Sequence, residues 1–334
     1  MVGTREQPFG RRGWRLPLAI AIVSWVVVGA LCVVAAMRIV AWDDIELFAV
    51  LNTLTAFLYL PAWVIAPLAF VGHRFVLGCA ALGVVLAQVV FMVPELTATE
   101  PLPSWVASAP TFRILDANVY QGNPSMGGYA REIVAFRPEV VTLEEANPVD
   151  ARQLERSGVL RHLPYRFDVP RYDSTAYVIA SAFPMEDVRI SDLYGHPLVV
   201  QLRLMVPSAP VELWVAHTVA PLPSSFAEWR HQLQRIADLV GERGTKGLLL
   251  VGDFNATWGN RGFHAILDTG LTDGAAARGR PFDMTWSQTK RPLPPLVRID
   301  HVLTGSGVEV VAIRTGAGPG SDHRDEMATI AVRA

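Results

Sequence analysis

Apolar and polar positions divide the chain into two parts with different rhythms. Residues 16–37, 47–72 and 75–94 are runs of 22, 26 and 20 residues without a charged side chain. At 1.5 Å per residue, each can cross a hydrocarbon core about 30 Å thick. A cleaved signal peptide does not account for them, because the first run exceeds a usual apolar signal core and two more follow. The pattern predicts three transmembrane helices, at about 16–40, 47–72 and 75–94, forming an anchor of residues 1–95. Residues 96–110, with Pro101, Pro103 and Pro110, read as a semi-rigid linker.

Shorter runs follow, rich in β-branched residues and ending in polar groups. Residues 114–119 carry Asn118 in a strand-like run, and 139–145 end in Glu144 and Glu145. Residues 211–218 alternate as a half-buried strand does and end at His217, while the run 248–251 stops at Gly252 before Asp253 and Asn255. Side chains at i and i+2 of an extended segment share a side, so Asp253 and Asn255 either aim at one point as a catalytic pair or close the strand in a local Asx turn. Asp300 sits inside the apolar run 297–303, and Asp322 and His323 follow a glycine-rich loop. Helical spacing marks 126–136, ended by Arg137-Pro138, and 224–240, with Phe226, Trp229, Leu233 and Ile236 on one stripe. A further short helix is expected at 263–267. This pattern alone supports a mixed α/β domain over residues 111–334.

Composition agrees with that division. The apolar content is 51% and the mean hydropathy +0.29, and the excess lies in the first third. Both cysteines, Cys32 and Cys79, fall in the apolar runs, so the remaining domain has no disulfide framework. Arg5, Arg11, Arg12 and Arg15 precede the first run, Asp43, Asp44 and Glu46 follow it, and His73 and Arg74 separate the second from the third. The positive-inside rule then keeps the N-terminus cytoplasmic. Three spans would send the domain to the outer face, with Arg38 snorkelling at the outer end of the first. Six of the 29 basic and five of the 31 acidic side chains lie in residues 1–96, which leaves the domain at −3. That balance lacks the basic bias of a strong nucleic-acid binder. Arg278, Arg280, Lys290, Arg291 and Arg298 form a basic stretch suited to an anionic substrate or to a solvated face. His301, on the opposite side of its strand from Asp300, and Trp286 read as packing residues.

The ordered set Asn118, Glu145, His217, Gly252-Asp253-Phe254-Asn255-Ala256, Ile299-Asp300-His301-Val302 and Ser321-Asp322-His323 resembles the endonuclease/exonuclease/phosphatase superfamily, the deoxyribonuclease-I-like hydrolases. The resemblance spans roughly residues 111–332. It implies a four-layer α/β sandwich and a phosphodiesterase or phosphomonoesterase that activates water with a divalent metal. By the family pattern Glu145 is the principal metal ligand, with Asn118 and Asp322 assisting. Asp253 activates water, Asn255 holds the water or the phosphate, His217 stabilises developing charge, and His323, oriented by Asp300, contacts the scissile phosphate as base or clamp. Oxygen donors and scattered histidines suit Mg²⁺ or Mn²⁺ better than zinc. Two departures stand out. Glu144 replaces the glutamine that many relatives carry before the metal-binding glutamate, and strand alternation would point it away from the site. Tyr120 occupies a position where some nucleases have a second acid. The expected substrate is a phosphate ester, a lipid headgroup or nucleic acid, met at a membrane bilayer, with no obligate protein partner. The alternatives are an extracytoplasmic nuclease and a catalytically silent, membrane-attached binding module.

Overall fold

The computed structural model describes residues 16–288 and 294–334. Arg5, Arg11, Arg12, Arg15, Lys290 and Arg291 lie outside these. The chain forms two compact units, one of residues 1–41 and 55–92, the other of Trp42–Leu54 together with Val93–Ala334.

The first unit is helical, and its packing inverts that of a water-soluble bundle. Helix α1 spans Leu18–Val40, and the expected second span is divided into α2 (Glu46–Thr53), α3 (Thr55–Leu58) and α4 (Leu60–Val71), followed by α5 (Phe75–Leu96). Small residues such as Ala62, Ala66, Ala69 and Ala81 are buried, while Val26, Val64, Val76 and Val90 stand exposed. Small residues let helices approach closely where the surroundings are themselves apolar. Two polar side chains inside this unit find partners. Gln88 Nε2 donates to the carbonyls of Thr55 and Ala56 at 3.1 and 3.0 Å and accepts from Trp63 Nε1 at 2.8 Å. Arg38 does not snorkel as expected. It is buried, donates to Thr55 Oγ1 at 2.7 Å, and lies 4.6 Å from the Phe91 ring centre.

Among the described residues, α1 and α5 are each long and apolar enough to cross a membrane, with mean hydropathies of 2.7 and 2.5. The expected second span, over 47–72, is not one helix. It qualifies only if its broken pieces are taken together, and its first piece, α2, belongs to the second unit. The interruption follows from composition: Asn52, Thr53 and Thr55 are weak helix formers, and Pro61 starts a new helix at its first turn.

The second unit holds two six-stranded sheets. The strands are β1 (Thr111–Asn118), β2 (Val140–Glu144), β3 (Tyr165–Val169), β4 (Tyr177–Ser181), β5 (Met185–Leu193), β6 (His196–Leu204), β7 (Val211–His217), β8 (Leu248–Asp253), β9 (Thr272–Asp273), β10 (Asp300–Thr304), β11 (Val308–Thr315) and β12 (Glu326–Val332). One sheet has the order β11-β12-β1-β2-β4-β3 and the other β5-β6-β7-β8-β10-β9. Their facing sides share a core that includes Ile114, Val140, Ile179, Leu213, Val251 and Val302. Helices α6 (Met126–Phe136) and α7 (Pro148–Ser157) flank the first sheet, where Met126, Tyr129, Ile133 and Leu154 pack on Leu115, Val141 and Leu143. Helices α8 (Phe226–Arg243) and α9 (Arg261–Leu267) cover the second, through Trp229, Leu233, Ile236 and Phe263 against Leu248 and Leu250. This is the α/β/β/α sandwich expected. In the central strands alternation puts one apolar face inward and the other under a helix, which is why they read as nearly continuous apolar runs.

Residues at the start of the expected linker, and just before it, contact the domain. Glu95 pairs with Arg298 at 3.1 Å, and the Glu100 amide donates to the Ala277 carbonyl at 3.2 Å. The expected basic stretch is correspondingly neutralised at its described members. Arg298 is buried against Asp273 and Glu95, Arg278 pairs with Glu309, and Arg280 with Asp283. A guanidinium this deep needs paired carboxylates, and the neighbouring Arg298 and His301 hold the Asp273 carboxyl, itself buried, far below its usual range.

Candidate active site

Strand register carries the polar residues to one level. In the first sheet β1 and β2 run parallel, with Asn118 beside Glu144. In the second, β7 and β8 run parallel with His217 beside Asp253, and antiparallel β10 sets Asp300 opposite Asp253. Parallel neighbours end on the same edge, so Asn118, Glu145, His217 and Asp253 all leave the sandwich together. Gly252 makes this possible. With φ at +129°, a Cβ there would lie 2.0 Å from the Ala216 carbonyl oxygen, so only glycine fits just before Asp253.

Asn118, Glu145, His217, Asp253, Asn255, Asp322 and His323 line one cavity of about 400 Å³. Asn118 Nδ2 donates to Glu145 Oε1 at 3.1 Å and to Asp253 Oδ2 at 3.0 Å, clamping two carboxylates that would otherwise repel. Its Oδ1 accepts from the Tyr120 amide, so the amide nitrogen is the face Asn118 turns to the carboxylates. Glu145 Oε2 accepts from the Gln121 amide at 3.0 Å. His217 Nδ1 lies 2.9 Å from the Ser174 carbonyl, so it carries the proton and donates. Its Nε2 faces Glu145 and Asp253 at 3.7 and 3.6 Å. The Asn255 amide donates to Asp253 Oδ1 at 2.8 Å, and its Nδ2 donates to the Thr218 carbonyl at 2.9 Å. Asp300 does not line the cavity but backs it, with Oδ2 2.9 Å from His323 Nδ1. His323 Nε2 then looks onto Asp253 Oδ2 at 3.7 Å and Asp322 Oδ1 at 4.0 Å.

The charge states follow from burial and proximity. Burial pushes the Asp253 carboxyl up and His323 pulls it back, leaving it at about 6. Burial alone would lower His323, but the Asp300 and Asp253 carboxylates outweigh it and raise the imidazole to about 10. At neutral pH His323 is therefore a cation aimed at the cavity.

Beneath the site lies a set of buried carboxyls. Asp116 accepts from Thr142 Oγ1 at 2.5 Å and is pushed to about 7, mainly by burial, and Glu144 is pushed well above its usual range by burial and by Asp116, Asp300 and Asp253. This corrects the expectation for Glu144, which projects between the sheets under the site rather than away from it. The reason is local. Glu145 sits at φ +58°, and this left-handed turn breaks the alternation after β2, so both glutamates address the same region. Glu145 is the one that reaches the cavity. Tyr120 and Asn255, at +61° and +47°, also hold left-handed backbone at strand ends on the cavity wall. Such strain persists where surrounding structure fixes it, and it gathers at functional sites.

Supporting roles were less legible than the site residues, and Gln288 was missed altogether. Trp286, expected to pack beneath the site, lines the cavity and donates from Nε1 to Asp322 Oδ2 at 2.9 Å. Gln288 Nε2 donates to the carbonyls of Gly318, Ser321 and His323, and Ser321 Oγ donates to the Asn118 carbonyl, tying the His323 loop to β1. Ser321 immediately precedes the Asp322-His323 pair, and Gln288 has no motif at all. His301 is structural as expected, enclosed by Arg298, Asp273 and the Ala256 carbonyl.

Asp253, Asp300 and His323 bring ligand atoms within 4.8 Å of one another, a spacing that could hold a cation. His323 Nδ1 is engaged by Asp300, however, so that compactness already has a hydrogen-bonding explanation. Glu145 and Asp253, held together by Asn118 and open to the cavity, are the oxygen donors that suit a hard divalent ion.

The family model described as Endonuclease/Exonuclease/phosphatase family matches residues 117–323, a stretch that contains every residue lining the cavity. The chain belongs to that family, and is thereby a hydrolase of phosphate esters. Solved structures share the fold. A humanised D. rerio TDP2 superposes with a TM-score of 0.56 at 14% identity, over 66% of this chain and 98% of its own. The Neisseria 3′ phosphatase NExo, bound to a product DNA hairpin, gives 0.53 at 17%, over 65% and 98%. An AP endonuclease from Archaeoglobus fulgidus gives 0.53 at 13%, over 65% and 98%. Comparison with curated proteins returned no match.

Proposed function

We propose that the chain is a membrane-anchored, divalent-metal-dependent phosphoesterase whose catalytic domain, residues 111–334, faces away from the cytoplasm. The observation that carries the catalytic part is the convergence of Glu145, Asp253, His217 and His323 on one cavity, each oriented by a hydrogen bond. Glu145 would hold Mg²⁺ or Mn²⁺ with Asp253 and Asp322 alongside, and Asn118 enters as the link that keeps Glu145 and Asp253 together. The cation supplies neutralisation of phosphate charge and polarisation of the phosphorus centre. Asp253, with a pKa near 6, is ionised at neutral pH and still basic enough to take a proton from an attacking water. Asn255 keeps that carboxylate and the water in place. His323, protonated at neutral pH, serves as an electrostatic clamp and proton donor rather than as a base. His217 presents Nε2 to the same phosphate.

A phosphodiester or phosphomonoester is the substrate class. The near-neutral domain and the apolar helices favour an ester met at a membrane, a lipid headgroup ahead of a long nucleic acid. The anchoring itself rests on α1 and α5 and their inverted packing.

Asp253→Asn and His323→Ala test this reading. Asparagine nearly preserves shape while removing the charge that activates water, so turnover should fall at least about 10²-fold, with the melting temperature unchanged or higher, since a costly buried carboxylate is gone. Unaltered turnover in both variants would leave a binding module as the better account.

A further inference from the structure

The segment Trp42–Leu54 follows the first apolar helix and opens the second apolar run, yet it folds as part of the catalytic unit. It lies on the loop that continues from Asp253 and Asn255. Trp42 Nε1 donates to the Gly259 carbonyl at 2.8 Å. Asp43 Oδ2 accepts from the Arg261 amide at 2.6 Å, at the start of α9, while its Oδ1 accepts from Asn52 Nδ2 at 2.9 Å. The Thr53 hydroxyl lies 3.2 Å from Asn260 Oδ1 and 3.0 Å from the Ala49 carbonyl, between which its one proton is shared, and Asn260 Nδ2 donates to the Ala49 carbonyl at 3.1 Å. Asn260 Oδ1 also accepts from the Thr257 amide, so a single buried side chain joins α2 to the turn two residues beyond Asn255. The fit is steric as well as polar. Ala49 is fully buried in the cluster of Trp229, Phe254, Ala256 and Phe263, and a Cβ on Gly259 would lie 1.8 Å from the Asn52 carbonyl oxygen.

We infer that Trp42–Leu54 is a positioning element of the active site: it clamps the 254–260 loop and thereby fixes Asn255 and the carboxylate of Asp253. The loop has two supports. On the domain side, Thr218 Oγ1 donates to the Phe254 carbonyl and His301 Nε2 lies 3.0 Å from that of Ala256. On the other side, the segment holds Thr257, Gly259 and Asn260. Asn255, in left-handed backbone between the two supports, depends on both. A catalytic domain cut from about residue 100 onward would lack the second support, so its activity would misrepresent that of the whole chain.

The test uses the full chain in detergent with two substitutions outside the catalytic groups. Gly259→Ala drives a methyl group into Asn52, and Thr53→Val removes one hydrogen bond at constant shape. Val50→Ala, on the exposed side of α2, is the control. Hydrogen–deuterium exchange of residues 254–260 should rise strongly in Gly259→Ala, moderately in Thr53→Val, and not in the control. With bis(p-nitrophenyl) phosphate and Mg²⁺, kcat should fall at least about 10-fold in Gly259→Ala, in keeping with the cost of small displacements of reacting groups, while KM stays within about twofold. Unchanged exchange in both variants overturns the inference, and so does raised exchange with undiminished kcat. The kinetic arm rests on the phosphoesterase reading. A wild-type chain that cleaves no phosphate ester defeats that reading, and the exchange arm still decides whether the segment holds the loop.

Discussion

Asp116, Glu144, Asp253 and His323 give the site an unusual proton balance. Burial and mutual repulsion push Asp253 to about 6 and Asp116 to about 7, above the ordinary aspartate value. The folded state therefore binds more protons than the unfolded chain between about pH 4 and 7, and linkage makes stability fall as the pH rises through that window. His323 acts in the same sense at higher pH. Its cationic form, favoured by Asp300 and Asp253, stabilises fully below its ordinary value and is lost only as the pH approaches 10. The metal-free chain should thus melt lower at pH 8 than at pH 5, and Mg²⁺ should raise the melting temperature at pH 8 far more than at pH 5. Thermal melts in EDTA and in Mg²⁺ at both values check this. A metal-free chain more stable at pH 8 would contradict the buried-carboxyl arrangement.

At the scale of elements, β2 shows where a sequence pattern succeeds and where it stops. The β-branched run into Glu144 is a strand as expected, because period-2 packing between sheet and helix selects such residues. Its end could not be read, since alternation assumes extended backbone and Glu145 is left-handed. The consequence is testable. Glu145→Gln should weaken metal dependence sharply, whereas Glu144→Gln should change little, because burial already favours the neutral Glu144 carboxyl that glutamine imitates. Metal titrations of turnover for the two variants decide it, and the reverse result would mean that Glu144 is the ligand. Helix α6 was legible to the residue, from its stripe and from Arg137-Pro138, which cannot continue a helix. Segment Trp42–Leu54 was not. A short apolar run beside two longer ones carries the same composition whether it enters lipid or a protein core, and only Asp43, Asn52 and their distant partners distinguish the two. Arg298 misled for a related reason: a basic residue in a proline-rich stretch looks solvated until Asp273 and Glu95 are placed beside it.

At the scale of the whole molecule, the apolar helices and the hydrolase domain give the proposal its two halves. Arginines precede α1, acids follow it, and His73 and Arg74 separate α4 from α5, a pattern that under the positive-inside rule would set the domain outside if three spans cross. The broken 47–72 run makes this expectation depend on whether its later part, α3 and α4, crosses the bilayer. A reporter fused after Ala334 should be active on the outer side. Activity confined to the cytoplasm would instead indicate an even number of crossings and would remove every extracellular substrate.

The central claim is that a hard divalent cation held by Glu145 and its neighbours lets Asp253 deliver water to a phosphate ester. Turnover of a panel of phosphodiesters and phosphomonoesters by the full chain, in EDTA and after addition of Mg²⁺ or Mn²⁺, tests it most directly. The account predicts no turnover in EDTA and its return with either metal. Full turnover in metal-free buffer would contradict it.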